Sequence, residues 1–258
     1  MISGSPRTDG DGAKILQELE SVFINKAEIE CEYLFIQDYN LEACIGCLAC
    51  QKKIGYNCPI NDDACKLNEK FDEADGFVFI SPVYIRMISA QLKLLFDRMS
   101  FLLHRPTHAG KPSILICTCS YAGSRESLNY LKIPVGNMGT HIVDNIGVLS
   151  SAYKNNNEYK AKILKRLNSS GKKYLKFLFS PERPNPSLRE LFIFNKWKHK
   201  AIYHRKQYPG DFQFWESQNL LDKDYYYPAK INPIFKLLIP FVVKNIFIRM
   251  SKRIGYLP

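Results

Sequence analysis

Half of the chain's eight cysteines fall within fifteen positions near its front. They are Cys44, Cys47, Cys50 and Cys58, so two gaps of two residues are followed by a gap of seven. Three thiolates at this spacing can surround one centre, and a fourth from a short loop can close a tetrahedral set. The run therefore predicts metal or redox chemistry. An iron–sulfur cluster, a zinc site, a thiol–disulfide pair and a loop of reduced cysteines are each compatible with the spacing.

The elements that must position these cysteines alternate between helix and strand, which is typical of a doubly wound parallel sheet. Apolar spacing predicts helices over residues 13–25, 62–71, 89–103, 124–130 and 158–179, and strands over 29–35, 76–80, 113–117 and 142–149. Only Met1–Ser3 precede the first turn, which is too short for a central strand. We therefore expect a first strand that is truncated or a stub. The predicted fold class is α/β.

Three segments with Gly, Ser and Pro lie where strands should pass into helices. They are residues 4–12, 81–84 and 118–126. In a doubly wound sheet, ligands bind outside the carboxyl ends of the strands, where such loops meet. The first segment offers hydroxyls, a guanidinium and backbone amides at the start of a helix, which suits a phosphate group. No G-x-G-x-x-G after a strand and no H-E-x-x-H occurs, and we predict no catalytic side chain.

Taken together, these segments resemble the NADPH-dependent FMN reductase-like flavoproteins of flavodoxin-like fold, and within them the iron–sulfur flavoproteins. The likeness covers roughly residues 1–150. It is carried by residues 4–7, the cysteine loop with Asp62 and Asp63, residues 74–76, residues 81–84 and 89–93, and residues 96–98.

The resemblance implies that the chain binds FMN. It implies contacts from Ser5 and Arg7 to the phosphate, from Pro82, Val83 and Tyr84 to the ribityl chain and flavin ring, and from Thr118, Ser120, Gly123 and Glu126 to the isoalloxazine. Asp11 departs from the family pattern, because a carboxylate there opposes a phosphate unless it points away. Arg86 is expected to be a solvated side chain or a contact to the flavin or a nucleotide.

The same resemblance implies a 4Fe-4S cluster on Cys44, Cys47, Cys50 and Cys58. Electrons would pass between NAD(P)H or a ferredoxin-type donor, FMN and the cluster, and then to an unnamed acceptor. Two alternatives stay open: a cluster-free NAD(P)H-dependent FMN or quinone reductase, and a non-catalytic electron-transfer flavoprotein docked by its C-terminal part. A flavin accepts hydride itself, so the lack of an acid–base pair does not argue against an enzyme.

The second part of the chain has a different character from the first. We predict a flavodoxin-like domain over residues 1–179, with the cysteine loop at 44–58, and a helical or irregular extension over 180–258. The extension is aromatic-rich and carries fourteen Lys and Arg against six Asp and Glu. Its apolar segment 231–253 is expected to pack on the flavin domain or a second subunit, or to contact a membrane surface. Nucleic acid is disfavoured, because aliphatic residues interrupt the basic ones.

Compartment and assembly are also predicted. The first residues lead directly into a Gly/Ser/Pro turn and do not read as a secretion signal. Eight cysteines in a chain that is not exported indicate thiols or metal ligands in the cytoplasm. The family resemblance implies a homo-oligomer, either a dimer or a tetramer. The redox partner is expected to be a small molecule or a ferredoxin-type protein.

Overall fold

A parallel sheet with helices on both faces organises the first part of the chain. The computed structural model describes residues 1–55 and 58–256. Its strands are β1 (Ile2–Ser3), β2 (Leu34–Phe35), β3 (Phe77–Tyr84), β4 (Met87–Ile88), β5 (Pro112–Cys119) and β6 (His141–Leu149). Their order is β2-β1-β3-β5-β6, and neighbours in this order run parallel. The short β4 pairs with β3 in the antiparallel sense. The predicted α/β class with a parallel sheet is confirmed.

The helices follow the predicted order. They are α1 (Asp11–Ile24), α2 (Ala49–Lys52), α3 (Ala64–Glu73), α4 (Ala90–Arg98), α5 (Ser124–Asn137), α6 (Ser150–Asn155), α7 (Asn157–Leu178), α8 (Leu188–Tyr203), α9 (Pro209–Ser217) and α10 (Pro233–Arg253). Buried residues of α3, α4 and α5 form one core with the sheet, and those of α1 and α7 form a second core on the other face. Both faces of the sheet are therefore covered, as a doubly wound fold requires.

The predicted strand over residues 29–35 is wrong except at its end. Only Leu34 and Phe35 form ladder pairs, because their partner β1 is itself two residues long. Ile2 and Ser3 pair with Phe79 and Ile80, so the start of β3 is laddered only to β5 among the described residues. An open cavity of about 720 Å³ lies beside this gap. It is at the amino-terminal edge of the strands, opposite the three predicted loops.

Two predicted boundaries move because tertiary contacts extend the elements. β3 continues through residues 81–84, which were predicted as a loop, because Val83 and Tyr84 pair with β4. α5 continues seven residues beyond its predicted end and contains Pro134. The added turns bury Val135 against the sheet, and the Asn137 amide donates to the carbonyl of Ile133 at 2.6 Å. Burial and a side-chain hydrogen bond thus offset the break that proline favours.

The C-terminal extension is helical and has its own apolar cluster. Phe194 and Trp197 of α8, Trp215 of α9, and Leu220 and Tyr225 are among its buried members. α8 begins with a capping box in which Ser187 and Glu190 satisfy each other's backbone amides. Among the described residues, no helix has both the length and the apolar character needed to span a bilayer.

Gly4, which follows β1, lies so close to the start of α4 that we predict a strict requirement for glycine at this position. A Cβ on Gly4 would lie 2.5 Å from Ser89 Oγ and 2.7 Å from Leu92 Cβ. We expect Gly4→Ala to lower the free energy of unfolding by about 1–3 kcal/mol, because the overlap lies in a packed region. Urea denaturation measures it. Gly12→Ala is the control, since its nearest contact would be at 3.6 Å. Equal stability of the two variants would contradict the packing argument.

Candidate functional site

A cleft lies at the carboxyl edge of the sheet, where β1, β3, β5 and β6 end. It is lined by Ser5, Arg7, Gly10, Asp11, Gly12, Ile80, Pro82, Val83, Tyr84, Thr118, Cys119, Ser120 and Ser150. Seven of the nine residues predicted to contact FMN are therefore in one place. Ligands of doubly wound folds bind at this edge, because successive strands deliver their loops there.

The corner of the cleft formed by the first loop is suited to an anion. Arg7 is exposed there, and its backbone amide donates to Ser5 Oγ at 3.1 Å, which closes a tight turn. α1 begins directly after this turn, and its N-cap residue Gly10 has no side chain to cap the helix. The first amides of α1 are therefore available to a ligand, and the helix dipole favours a negative charge at this end.

Asp11, the residue that departs from the family pattern, has its charge compensated. Its Oδ1 lies 3.0 Å from the Nζ of Lys154 on α6, and the Asp11 side chain is mostly buried. The ion pair places a cation beside the only carboxylate among the residues that line the cleft. The conflict expected between Asp11 and a phosphate is therefore reduced by a lysine that the sequence analysis did not identify.

The second segment is a rigid hairpin rather than a loop. Ile85 and Arg86 both have positive φ, at 48° and 61°, which forms the tight turn between β3 and β4. Ser81 Oγ accepts from the Ser89 amide at 2.9 Å and so fixes the strand to the start of α4. The hairpin holds Pro82 and Val83 half-buried against the cleft and leaves Tyr84 exposed at its rim.

The third segment packs against the hairpin. Gly123 has φ of 97°, and a Cβ there would lie 2.8 Å from both Arg86 Cα and Val83 Cγ1. Glu126 forms an ion pair with Arg86, with Nε to Oε1 at 3.0 Å. Neither Gly123 nor Glu126 is among the residues that line the cleft. Both residues therefore contact the hairpin outside the cleft lining. Arg86 is an exposed side chain that pairs with Glu126.

Six residues that line the cleft were not among the predicted FMN contacts. They are Gly10, Asp11, Gly12, Ile80, Cys119 and Ser150. The signal for Ser150 was available, because it follows the predicted strand 142–149 at the same edge of the sheet. Cys119 ends β5 and is buried; it lies within the predicted segment 118–126 but was not among the residues assigned to FMN.

The cysteine loop leaves the same edge of the sheet, after β2. Cys44 and Cys47 are exposed, whereas Cys50, in the short helix α2, and Cys58 are half-buried. Within residues 1–55 and 58–256, no three Cys, His, Asp or Glu side chains are grouped as metal ligands would be. The structure thus places the four predicted ligands on one loop without a closed ligand set.

A buried ion pair ties the two ends of this loop together. Asp62 and Arg98 have no side-chain exposure, and both amino groups of Arg98 contact the Asp62 carboxylate. The same guanidinium donates to the carbonyl of Glu42 at 2.9 Å and to Cys58 Sγ at 3.4 Å. Asp62 also accepts from the amides of Glu42 and Ala64. Burial raises the pKa of Asp62, but these hydrogen bonds lower it by more than burial raises it. The net shift of the pKa is therefore downward.

A second arginine joins the loop to the C-terminal extension. Arg105 donates to the carbonyl of Cys50 at 2.7 Å, and its Nε donates to Asp211 of α9 at 2.9 Å. Lys200 of α8 donates to Asp211 at 2.6 Å and to Gln51 in the loop at 3.2 Å. All these polar groups are nearly or fully buried. None of these residues carries a local sequence signal, because the contacts that join the extension to the loop link residues 55 to 149 positions apart.

The loop carries four cysteine sulfurs, which are the kind of ligand that iron–sulfur clusters use. Burial raises the pKa of the Cys50 thiol, and Cys58 and Cys44 raise it further, whereas Arg105 lowers it. The sulfurs of Cys44 and Cys58 are therefore close enough to Cys50 to influence the charge of its thiol. Arg98 and Arg105 supply positive charge beside them. Cationic donors near thiolates are what a negatively charged ligand set requires.

The buried ion pair predicts a large cost for breaking it. We expect Arg98→Met to lower the free energy of unfolding by about 3–5 kcal/mol, because Asp62 is left charged and buried. Lys93→Met is the control; its ion pair with Asp97 is exposed and contributes less than about 1 kcal/mol. Thermal and urea denaturation measure both. Adding Asp62→Leu to Arg98→Met should recover part of the loss, and a further loss would contradict the explanation.

Comparison with known proteins identifies the family and agrees with the fold. The profile of the NADPH-dependent FMN reductase family matches residues 1–154. An iron–sulfur flavoprotein of Methanocaldococcus jannaschii is 41% identical over 97 residues, which cover 38% of this chain and 49% of that relative. An iron–sulfur flavoprotein of Archaeoglobus fulgidus is 27% identical over 229 residues, which cover 85% and 98% respectively. The chain thus spans about half the length of the first relative.

A solved structure of an NADH:FMN oxidoreductase in its apo form is also similar. It matches with a TM-score of 0.51 at 18% identity and covers 70% of this chain and 90% of that one. At this identity the likeness concerns the fold, and the predicted flavodoxin-like fold is confirmed. Because the family profile matches more than half of the chain, the chain belongs to the NADPH-dependent FMN reductase family.

Proposed function

We propose that this protein passes electrons between a donor, FMN and a 4Fe-4S cluster held by Cys44, Cys47, Cys50 and Cys58. The donor is NAD(P)H or a ferredoxin-type protein. One observation supports this most strongly: the cofactor cleft and the cysteine loop lie at the same edge of the sheet. The first segment of the cleft follows β1, and the cysteine loop follows the neighbouring strand β2. Short separation between redox groups is what transfer between them requires.

For FMN, we assign the residues of the cleft by their chemistry. Ser5, Arg7 and the first amides of α1 would bind the phosphate, while Lys154 compensates the charge of Asp11. Pro82 and Val83 would support the ribityl chain and ring from the hairpin, and Tyr84 is at the exposed rim. FMN, when bound, supplies the group that accepts hydride and releases single electrons. Of the other predicted contacts, Thr118 and Ser120 also line the cleft, beside Pro82 on the neighbouring strand.

For the cluster, the proposal depends on two arginines that hold the loop. Arg98 donates to Cys58 Sγ, and Arg105 donates to the carbonyl of Cys50. Both guanidiniums are buried, so their charge is screened little by water. They would offset the negative charge of four thiolates and fix the approach of the loop to the sheet. Relatives named iron–sulfur flavoproteins support this assignment.

Two other functions remain candidates. A cluster-free NAD(P)H-dependent FMN or quinone reductase would use the same cleft, with the four cysteines of the loop as thiols. A non-catalytic electron-transfer flavoprotein would bind FMN but oxidise no NAD(P)H. We also propose a cytoplasmic location, since reduced thiols and clusters persist there, and a homo-dimer or tetramer. Steady-state oxidation of NADH and NADPH with added acceptors separates the enzymes from the carrier.

The assignment of the phosphate corner predicts a weaker FMN complex when Arg7 is replaced. Arg7→Ala removes a charge-assisted hydrogen bond worth about 1.5–3 kcal/mol, so we expect FMN affinity to fall about 10- to 100-fold. Fluorescence quenching on titration of the apoprotein with FMN measures it. Arg125→Ala is the control, because Arg125 is exposed on the third segment and does not line the cleft. Equal affinity in the two variants would place the phosphate elsewhere.

The cluster assignment predicts a spectroscopic signature. Protein purified without oxygen should show, besides the flavin bands, a broad cluster absorption that dithionite bleaches, with iron and sulfide bound. We expect Cys58→Ser to lose the iron and sulfide and to keep FMN. Cys65→Ser is the control, because Cys65 is exposed on α3 and donates to Glu69. Flavin bands without iron in the wild-type protein would favour the cluster-free reductase.

A further inference from the structure

The outer face of α10 is apolar and uncovered. Its exposed side chains are Ile234, Phe235, Leu237, Leu238, Phe241, Val242, Ile246 and Met250. Leu237 is 74% exposed and Phe241 is 64% exposed. A continuous apolar surface of this kind on a monomer marks an interaction site, because single exposed apolar residues are usually scattered.

The inner face of the same helix is already used. Val243 and Phe247 are buried against the extension, and Ser251 Oγ lies 2.7 Å from the Nε2 of His204 at the end of α8. The Phe247 ring also contacts His204. α10 is therefore apolar on both sides and anchored on one of them. A helix that is apolar all round needs a second apolar environment.

The charged residues of the chain segment that contains α10 are all basic. Residues 225–256 contain six Lys and Arg and no Asp or Glu. Lys236 pairs with Asp224 at 2.7 Å. Lys244, Arg249, Lys252 and Arg253 are exposed along the second half of α10. The partner must therefore combine an apolar layer with a negative surface.

We propose that α10 docks the protein on an anionic phospholipid bilayer, lying in the plane of its surface. Anionic headgroups match the basic side chains, and the acyl boundary receives the apolar ones. A second copy of the chain is a poorer partner, because a twofold interface on this helix would present the same basic segment from both sides and supply no anionic group to it. This inference is independent of the cofactors proposed above.

The distribution of side chains along α10 fixes the orientation of docking. Six of the eight exposed apolar residues lie between Ile234 and Val242, whereas the basic residues follow from Lys244 onward. A helix of 21 residues is about 31 Å long. Its first half is therefore inserted more deeply, and its second half lies among the headgroups. The attraction includes a charge component that added salt weakens.

Vesicle flotation of the full chain tests the proposal. We expect the wild-type protein to float with vesicles of phosphatidylcholine mixed with phosphatidylglycerol, and to remain unbound with phosphatidylcholine alone. Leu237→Ser with Phe241→Ser should lower the partition coefficient at least about tenfold. High salt should lower it for the wild type.

Ile133→Ser with Phe179→Ser is the matched control, since both side chains are exposed apolar residues outside α10. It should float like the wild type. FMN binding and circular dichroism verify the fold of both variants. Absence of flotation, or flotation on neutral vesicles that salt does not change, would overturn the proposal. Sedimentation showing a dimer that the α10 variant dissociates, without flotation, would assign the face to a second copy.

Discussion

The buried ion pair between Asp62 and Arg98 is the contact on which the cysteine loop depends. Between Asp38 and Ala64, the four-residue α2 is the only regular element within the described residues, so local structure cannot hold this segment in place. Arg98 holds the segment instead. Its guanidinium donates to the carbonyl of Glu42 before the cysteines, to the carboxylate of Asp62 after them and to Cys58 Sγ. An apolar pair of similar volume could fill the same space. It could not orient a sulfur or carry charge beside it.

The cofactor cleft is governed by a different balance of charge. Arg7 and the uncapped start of α1 favour an anion, and Asp11 in the first turn opposes it. Lys154 resolves this conflict, because its ammonium lies 3.0 Å from the Asp11 carboxylate. Asp11 then interacts favourably with the helix dipole without repelling a ligand. The positive character of the corner therefore depends on α6, which follows the last strand of the sheet.

The fold and the three segments that form the cleft could be predicted from local sequence, because strand ends and tight turns have local signatures. The individual FMN contacts were implied by the family resemblance. Seven of nine predicted FMN contacts line the cleft, whereas Gly123 and Glu126 support the hairpin from behind it. The strand over residues 29–35 could not be predicted correctly, since its length depends on β1 and not on its own alternation. Lys154, Arg105 and Asp211 carry no local signal. Their roles follow from partners that only the folded chain brings close.

The extension and the sheet domain meet at the cysteine loop, and the chemistry of this contact explains why the extension is built as it is. Asp211 accepts from Arg105 and Lys200, which in turn donate to the loop at Cys50 and Gln51. Gly210 passes so close that a Cβ would lie 2.5 Å from the backbone of Lys53. Two buried cations share one carboxylate, so the network keeps a net positive charge toward the loop. Trp215 of the aromatic cluster lies on the same helix as Asp211, and its indole donates to the carbonyl of His104, the residue before Arg105. The extension therefore shapes the electrostatics of the loop as well as its position.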